Sequence, residues 1–342
     1  MRRRRLCTRL ATPVAVAGLA FASACGSPPP AGGAGHHPQA TTSSSPAGAT
    51  APSPPPVPTP GLEGVPAFTH VFVVVMENLG AGAASGVTGL VALANRYQST
   101  TDWYALAHPS LPNYLGLVSG STWGVTSDCT QCTQRGPDLA SQLSGADISW
   151  GAYLEGVPGP CFLGPQSADA TYAEKHDPFA YFDDVRSDAS LCAHLQPLSS
   201  LTPLLDGPAT AVPRFVWVTP DLCHDGHDCS APSAATWLTG FVAQVTASAA
   251  WKGGVLVVTW DEGDDDSAMS PASGAVSSSG GGGRVLTLVI GPGLPAGRVL
   301  PGPYDHYSLL RTVEDAFGLA HLGAAGDAGV APLTAFFSTG AS

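Results

Sequence analysis

The sequence contains few charged residues and even fewer basic ones. Only 12% of its 342 residues are charged, and 14 Lys and Arg face 26 Asp and Glu, which gives a formal net charge of −12. So little charge excludes a coiled coil. The acidic surplus argues against nucleic acid and anionic membrane surfaces as electrostatic partners. Eight cysteines in a chain of this length exclude a densely cross-linked miniprotein.

The N-terminal apolar run is too short for a comfortable transmembrane helix, which needs about 20 apolar residues. This run, residues 11–24, follows a basic start made of Arg2, Arg3, Arg4, Arg5 and Arg9. A basic start, a short apolar run and small residues before Cys25 are typical of an export signal. We therefore predict that residues 1–24 are a signal peptide. Loss of its five arginines takes the formal charge from −12 to −17.

Cys25 is compatible with two forms of export. Ala22, Ser23 and Ala24 resemble a bacterial lipobox, in which Cys25 becomes the lipidated first residue of a cell-surface lipoprotein. Ala22 stands where Leu is commoner, so cleavage by an ordinary signal peptidase, which gives a secreted protein, stays open. A lipid anchor would be the only contact with a membrane, and the sequence does not predict the oligomeric state.

Residues 25–66 are predicted to be a spacer. They contain runs of proline and serine and almost no aromatic or branched apolar residue, so they cannot bury enough apolar area to offset the chain entropy lost on folding. Proline keeps such a segment extended. Residues 67–342 contain no second linker of this kind and are predicted to form one domain.

Four continuous apolar runs in this domain indicate strands that are covered on both faces. Helical patterns lie between or after them, at residues 89–97, 234–249 and 307–317. The strand runs are residues 71–76, 214–219, 255–260 and 285–290. We therefore predict an α/β fold with a mostly parallel central sheet and helices on both faces.

Polar residues follow three of these runs, at the strand ends where sheets of this kind bind ligands. Glu77 and Asn78 follow the first run, and Asp261 and Glu262 follow the third. The second run leads into a loop that contains Asp221, His224, Asp225 and His227. Hard oxygen ligands together with imidazoles are the ingredients of a divalent metal site that holds a phosphoryl group.

A further candidate is the run from His108 to Tyr114, which contains two prolines at the predicted start of a helix. Ser110 would lie near the N-terminus of that helix. Backbone N–H groups and the helix dipole favour an anionic phosphate or a serine alkoxide at this position. The other interpretation is that Ser110 is only a helix N-cap.

Six motifs in this order resemble the bacterial phosphoesterase family, which holds acid phosphatases and nonspecific phospholipases C. This family looks like a branch of the alkaline phosphatase superfamily, and the resemblance covers nearly all of residues 68–320. The motifs are Met76-Glu77-Asn78, residues 108–114, Gly120-Ser121-Thr122 with Gly124-Val125-Thr126, residues 175–179, Trp260-Asp261-Glu262 and residues 305–312.

The resemblance implies a role for each candidate residue. The expected metal ligands are Glu77, Asn78, Asp261 and Glu262, and Ser110 matches a nucleophile that also binds the metal. Alternative nucleophiles are Ser121, Thr122 and Thr126. The residues expected to bind phosphate and move protons are His108, His176, Asp221, His224, Asp225, His227 and His306. Asp221 and His224 are the weakest of these, because some relatives have Asn at those positions. An alternative second metal or phosphate site comprises Asp221, Asp225, His227 and His306.

The predicted function is that of an acid phosphatase, which hydrolyses small phosphomonoesters through a phosphoserine intermediate. His306 or His227 would protonate the leaving alcohol, and cationic imidazoles would bind phosphate best below pH ~6.5. Two alternatives stay open: a phospholipase C-type phosphodiesterase, and a noncatalytic surface lipoprotein that binds a metal or a phosphate compound. The oxygen-rich ligands suit calcium, magnesium or manganese, and the histidines keep zinc or iron open.

Six cysteines remain when Cys7 in the signal and Cys25 are set aside, and six allow 15 pairings. Cys223 and Cys229 flank the histidine-containing loop, so a disulfide between them is the first choice. The spacing of Cys129 and Cys132 also occurs in zinc and redox sites. Because no second pair of this kind is present and the chain is predicted to be exported, disulfide bonding is the better interpretation. The other two are Cys161 and Cys192.

Overall fold

The computed structural model describes residues 63–264, 266–274 and 280–338. The predicted signal peptide, Cys25 and the predicted spacer up to residue 62 lie outside the described residues. Residues 63–66, at the end of the predicted spacer, contact the domain: Val65 is buried, and Glu63 forms an ion pair of 2.8 Å with Arg311. Within the described ranges, each helix is too short or too polar to span a bilayer.

Eight strands of the described chain form a single sheet. They are β1 (His70–Met76), β2 (Gln98–Tyr104), β3 (Trp150–Leu154), β4 (Leu195–Pro197), β5 (Phe215–Thr219), β6 (Gly254–Trp260), β7 (Arg284–Ile290) and β8 (Tyr304–Asp305). Their order across the sheet is β4-β3-β5-β1-β6-β7-β2-β8. β7 is antiparallel to β6 and β2, whereas the other pairings are parallel. The sheet is therefore mostly parallel.

The helices pack in two groups. They are α1 (Ala81–Ala84), α2 (Thr88–Arg96), α3 (Ser110–Ser119), α4 (Leu139–Gly145), α5 (Asp183–Ser187), α6 (Ala189–Cys192), α7 (Thr202–Leu205), α8 (Ala231–Ala247), α9 (His306–Phe317) and α10 (Thr334–Phe337). α3 contacts α4 and α9, and α2 packs on α8. Every residue of β1 and β6 is buried. Since successive side chains of a strand point to opposite faces, the sheet is covered on both faces, and the predicted α/β fold is confirmed.

The strong apolar patterns correspond to observed elements. The four predicted strands are β1, β5, β6 and β7, and the predicted helices are α2, α8 and α9. β2 was not predicted, because its sequence QSTTDWY has no apolar run and its pairing with β7 shifts register between Thr100 and Trp103. β7 differs from the parallel expectation. It lies directly beside β6, and an antiparallel neighbour needs no crossover helix.

The carboxyl ends of four parallel strands meet at one edge of the sheet. Glu77 follows β1, Glu155 follows β3, residues 220–228 follow β5, and Asp261 follows β6. Backbone hydrogen bonds hold these exits together: the Glu77 N–H donates to the Asp225 carbonyl at 3.0 Å, and the Asp261 N–H donates to the Met76 carbonyl at 2.9 Å. The predicted polar residues are therefore concentrated at this edge.

Three disulfides stabilise the loops of the domain. They are Cys129–Cys132, Cys161–Cys192 and Cys223–Cys229. The predicted bond between Cys223 and Cys229 is confirmed, and it closes the loop after β5. Cys129 and Cys132 form a disulfide, as expected, and not a metal site. Disulfides of this number are typical of proteins that fold in an oxidising compartment.

Candidate active site

Ser110 is the first residue of α3 and is almost completely buried. Its Oγ lies 3.2 Å from Glu77 Oε2 and 3.3 Å from Glu262 Oε1. Asn113, one turn further along the helix, accepts the N–H groups of Leu106 and Ala107 at 2.8 and 3.1 Å and so fixes the chain that leads to Ser110. The hydroxyl is therefore held at a helix N-terminus between acids that follow β1 and β6.

The other candidate nucleophiles are placed differently. Ser121 and Thr122 lie beyond the C-terminal end of α3, which is capped by Gly120. A ten-residue helix is about 15 Å long at 1.5 Å per residue. Thr126 is exposed. Ser110 is the candidate hydroxyl that contacts the acids at the strand ends.

The residues expected to bind a metal lie next to one another. Asn78 has a left-handed backbone with φ of 55°, and its N–H donates to Asp261 Oδ1 at 3.0 Å. Tyr114 donates its hydroxyl hydrogen to Glu77 Oε1 at 2.5 Å. Among the described residues, Asn78 Oδ1 and Asp261 Oδ2 are buried without a hydrogen-bond partner. Such orphaned oxygens are unusual in native proteins and fit a bound cation.

The pKa values of these acids support the same conclusion. Burial, together with the negative charges of Glu77 and Glu262, raises the pKa of Asp261 well above its usual value. Burial also raises the pKa of Glu262, although its hydrogen bond with His108 opposes this. Burial acts in the same direction on Glu77, but the positive charge of His176 outweighs it and lowers the pKa of Glu77. Buried carboxylates that repel one another suit a divalent cation.

His176 lies between two carboxylates. Its Nε2 is 3.1 Å from Glu77 Oε2, and its Nδ1 is 3.2 Å from Asp225 Oδ2. These are charge contacts and not well-aligned hydrogen bonds. Burial acts to lower the pKa of His176, but the two carboxylates outweigh it and raise the pKa to about 9. In the absence of a metal, His176 is therefore an imidazolium at neutral pH.

Lys175 extends this positively charged side of the site. Its Nζ is 3.1 Å from both Asp128 Oδ2 and His227 Nε2. Because an ammonium group only donates, His227 accepts through Nε2 and carries its proton on Nδ1, which donates to Asp228 Oδ1 at 2.7 Å. Burial acts to lower the pKa of Lys175, but the charges of Glu77 and Asp128 outweigh it and raise that pKa.

Three groups of His, Asp and Glu in the described residues have ligand atoms within 4.8 Å of one another: Glu77-His176-His227, Glu63-Asp315-His321 and Glu155-Asp221-His224. In the first, His176 lies between the carboxylates of Glu77 and Asp225, and His227 already accepts a hydrogen bond from Lys175. In the second, Arg311 pairs with both carboxylate oxygens of Glu63, at 2.9 Å each. The oxygen-rich set of Glu77, Asn78, Asp261 and Glu262 is less compact, but it contains buried oxygens without partners. It fits a divalent cation better.

The third group is separate from Ser110 in its contacts. His224 Nδ1 is 2.9 Å from Glu155 Oε2 and 3.4 Å from Asp221 Oδ1, and its ring stacks on Trp237 with 6.0 Å between centroids. A cavity of about 560 Å³ lies beside Glu155 and Trp237. We call Glu155, Asp221 and His224 the outer cluster. The inner cluster is Glu77, Ser110, His176 and Asp225.

His306 does not fit the expected role of proton donor. Its Nδ1 accepts from Trp103 Nε1 at 3.1 Å, and its Nε2 donates to the Asp261 carbonyl at 2.6 Å. Burial lowers the pKa of His306 to about 4. The ring is therefore neutral, and it is fully buried. Its contacts indicate that His306 supports the backbone of Asp261.

His108 has a different environment. Its Nδ1 contacts Glu262 Oε2, and its Nε2 donates to the Asp266 carbonyl at 3.0 Å. The hydrogen bond with Glu262 raises the pKa of His108. The side chain is 29% exposed, so this ring is accessible from solvent, and it contacts Glu262, which in turn contacts Ser110.

The alternative second metal or phosphate site does not form as one group. Its four members are Asp221, Asp225, His227 and His306. Asp225 is a member of the inner cluster, and the ring of His227 lies 5.6 Å from that of His176. Asp221 belongs to the outer cluster because its N–H donates to Glu155 Oε2. His306 belongs to α9 and contacts Asp261.

Sequence reasoning missed three residues of the site. Tyr114 and Lys175 lie within the motifs 108–114 and 175–179, and Lys175 is one of only two lysines in the chain, so a signal was present. Asp128 gave no such signal. It accepts the Leu111 N–H at 3.1 Å through Oδ1, a contact that depends on the tertiary fold.

Known proteins with similar sequences are phosphatases by name. A phosphatidylinositol-3-phosphatase of Mycobacterium tuberculosis is 30% identical over 285 residues, which cover 80% of this chain and 85% of that protein. An acid phosphatase of Aspergillus fumigatus is 27% identical over 277 residues, which cover 78% of this chain and 58% of that protein. The chain thus spans less than two thirds of the length of this fungal enzyme and of three others, at 60% to 63%.

A similar solved structure is a protein of the alkaline phosphatase superfamily from Vibrio parahaemolyticus. The TM-score is 0.46 at 10% identity, with 74% of this chain and 67% of that chain covered. A TM-score below 0.5 is too low to support an argument. The model of the Phosphoesterase family matches residues 68–320, which include the inner cluster and all the expected metal ligands. This chain belongs to the Phosphoesterase family.

Proposed function

We propose that this chain is an exported phosphoric ester hydrolase that cleaves small phosphomonoesters through a phosphoserine at Ser110. The observation that carries the proposal is the buried Ser110 hydroxyl at the N-terminus of α3, in contact with Glu77 and Glu262. Helix N-terminal N–H groups favour a phosphate at that position. The names of the relatives support a monoesterase over a phospholipase C. The disulfides and the N-terminal signal pattern support export, with or without a lipid on Cys25.

The residues of the chain account for each step of the reaction. Ser110 donates its hydroxyl hydrogen to Glu77 or Glu262, which leaves an oxygen lone pair free to attack phosphorus. The bond from Ser110 Oγ to phosphorus forms as the bond to the ester oxygen breaks. Water then attacks the phosphoserine, releases phosphate and restores the hydroxyl. A divalent ion held by Glu77, Asn78, Asp261 and Glu262 would supply Lewis acidity and offset the negative charge.

His108 is the histidine best suited to protonate the leaving alcohol. Its pKa is raised by the hydrogen bond with Glu262, it is accessible, and Glu262 contacts Ser110. The neutral ring of His306 has no proton to spare, and His227 Nε2 already accepts a hydrogen bond from Lys175. We therefore assign the role of general acid to His108, in place of the two histidines that we first expected.

The raised pKa values also change the expected pH dependence. Unperturbed imidazoles would lose their charge near pH 6.5, but the pKa of His176 is raised to about 9 and that of His108 is raised as well. His176 therefore keeps its charge at neutral pH, and His108 keeps its charge to a higher pH than an unperturbed imidazole does. Phosphate binding by these groups should therefore extend above pH ~6.5.

A substrate panel tests this proposal. Phosphate or nitrophenol release is measured with p-nitrophenyl phosphate, phenyl phosphate and p-nitrophenylphosphorylcholine, before and after chelation and re-addition of divalent ions. We expect metal-dependent turnover of the two monoesters and little of the diester. Turnover of the diester alone would establish the phospholipase C alternative. No turnover of any ester would favour the noncatalytic binding protein.

The role of His108 has its own test. In His108→Gln the rate with phenyl phosphate should fall about 10²-fold or more, whereas p-nitrophenyl phosphate should lose less, because nitrophenolate leaves readily without a proton. His306→Gln serves as the matched variant. Equal losses with both substrates in His108→Gln would contradict the assignment.

A further inference from the structure

Lys175 is the positively charged side chain that the proposed mechanism does not yet use. The chain contains two lysines, Lys175 and Lys252, in a protein with a net charge of −12. Lys252 is exposed, whereas the side chain of Lys175 is only 18% exposed and lies beside the inner cluster. Burying an ammonium group costs free energy unless it is paired, so its position calls for a physical reason.

Asp128 connects Lys175 to the helix of the nucleophile. Its Oδ1 accepts the N–H of Leu111, the residue after Ser110, at 3.1 Å, and its Oδ2 accepts from Lys175 Nζ at 3.1 Å. One carboxylate thus fixes both the ammonium group and the first turn of α3. The Cys129–Cys132 disulfide follows Asp128 directly and restricts the loop that carries it.

A second series of contacts, which does not involve Asp128, also connects Lys175 to Ser110. Lys175 Nζ bonds to His227 Nε2, the His227 ring lies 5.6 Å from that of His176, and His176 contacts Glu77. Glu77 Oε2 in turn lies 3.2 Å from Ser110 Oγ. Lys175 therefore lies at the side of the inner cluster where the N-terminus of α3 would hold a phosphoryl group.

The ammonium group has a donor available for a ligand. It carries three N–H donors, and Asp128 and His227 account for two of them among the described residues. Lysine is a common phosphate ligand that acts as a point charge. A phosphomonoester carries up to two negative charges and a diester one, so one more fixed cation favours the monoester.

We propose that Lys175 binds a nonbridging oxygen of the substrate phosphoryl group, and that Asp128 is a positioning residue that holds Lys175 at the N-terminus of α3. Lys175 thereby favours dianionic phosphomonoesters over diesters. This inference rests on the proposed function for its account of turnover, but it makes a separate claim about phosphate binding.

The test compares Lys175→Met, Lys175→Arg and Asp128→Asn with Lys252→Met as the matched control, all in the mature protein with metal supplied. Binding of inorganic phosphate is measured by calorimetry, and kcat and KM are measured with p-nitrophenyl phosphate. We expect Lys175→Met to weaken phosphate binding about 10- to 100-fold and to lower kcat/KM at least as much. Lys175→Arg should restore most of the affinity.

Asp128→Asn separates positioning from folding. The asparagine keeps an oxygen that can accept the Leu111 N–H but loses the charge that holds Lys175, so KM should rise several-fold while kcat changes less. Thermal unfolding of each variant reports on the fold. If Lys175→Met destabilises the protein, the comparison of Lys175→Arg with wild type decides on phosphate affinity alone.

Three results would overturn the inference. Phosphate affinity in Lys175→Met equal to that in Lys252→Met would remove Lys175 from the phosphate site. Equal losses in Lys175→Arg and Lys175→Met would indicate a structural role, as would a loss of stability without a change in affinity. If wild type binds phosphate through Lys175 but hydrolyses no ester, the inference stands and the proposed function fails.

Discussion

The disulfide-closed loop after β5 contributes residues to two clusters. These clusters differ in burial and in how their charges are compensated. Asp225 is fully buried and contacts His176 in the inner cluster. Asp221 and His224 belong to the outer cluster, where their side chains are 18% and 38% exposed. Both clusters contain Glu, Asp and His, and the residues that the loop contributes are only a few positions apart, yet only the inner cluster contains a buried hydroxyl, that of Ser110.

The difference lies in how the charges are compensated. In the inner cluster the acids face a protonated His176 and the ammonium of Lys175, and several oxygens are left for a cation. In the outer cluster, within the described ranges, neither acid pairs with Lys or Arg, and solvent provides the screening. A buried charge must be paired, so every inner side chain has a defined position. Burial, and not the motif alone, distinguishes the inner cluster from the solvated outer cluster.

The largest expected effect is the loss of the nucleophile. Ser110→Ala should lower kcat by about 10³-fold or more, because no other hydroxyl contacts both acids in the described part of the chain. Rapid acid quenching with labelled substrate should trap phosphate on wild type and not on the variant.

Ser121→Ala is the matched control for that variant, because Ser121 lies at the other end of α3. It should keep kcat within about twofold and still form the phosphoenzyme. A phosphoenzyme in Ser110→Ala would place the nucleophile elsewhere.

The next effect separates the two clusters by their metal dependence. Asp261→Asn keeps an acceptor for the Asn78 N–H but removes a charged ligand, so metal content should fall and kcat/KM should drop about 10²-fold. Asp221→Asn, in the outer cluster, should keep both. Metal per protein after dialysis, measured by mass spectrometry, checks this. Equal metal loss in both variants would mean that the outer cluster also holds the ion.

The sequence was sufficient to predict the strands that have continuous apolar runs and to place the acids that follow them directly. Glu77 and Asp261 were placed correctly at one sheet edge because a buried parallel strand is visible in sequence and its end fixes the next residue. β2 was not visible, because its polar residues form a strand only through pairing with β7. β3 is only five residues long and was also not predicted.

Two of the strands that were not predicted, β2 and β3, explain why parts of the site could not be predicted. Glu155 follows β3, so its contacts with Asp221 and His224 could not be predicted from the sequence. Trp103 lies in β2, so the hydrogen bond that it donates to His306 Nδ1 could not be predicted either. Side chains that depend on a neighbouring element cannot be oriented from a motif alone.

The pH dependence of stability distinguishes His176 from His224. The pKa of His176 is about 9 in the folded protein against about 6.5 for an unperturbed imidazole. Its stabilising effect is therefore complete below pH ~6.5 and is lost as the pH rises through about 9. Its contribution to the free energy of unfolding should therefore fall by about 1–3 kcal/mol between pH 7 and 9.5, with a slope of at most ~1.4 kcal/mol per pH unit.

Urea unfolding at several pH values in the presence of a chelator measures this slope. His176→Gln should lose the His176 contribution, while His224→Gln should keep the slope of wild type. Asp225 titrates below this window, because burial raises its pKa to about 6. Burial raises the pKa of Glu314 to about 9, which adds a slope of the same sign to wild type and to both variants, so the difference between the curves reports on His176. Parallel curves for wild type and His176→Gln would show that His176 is not held as a cation.

The smallest effect is expected in the outer cluster. Glu155→Gln removes the acid that bonds to His224 and to the Asp221 N–H, but exposed ion pairs contribute at most about 1 kcal/mol to stability. We therefore expect kcat/KM within about twofold of wild type and a small change in the free energy of unfolding. Asp225→Asn, in the same loop, is the matched inner variant and should lose far more activity. A loss in Glu155→Gln that equals that of Asp225→Asn would mean that the loop acts as one unit, and burial would then not be what separates the two clusters.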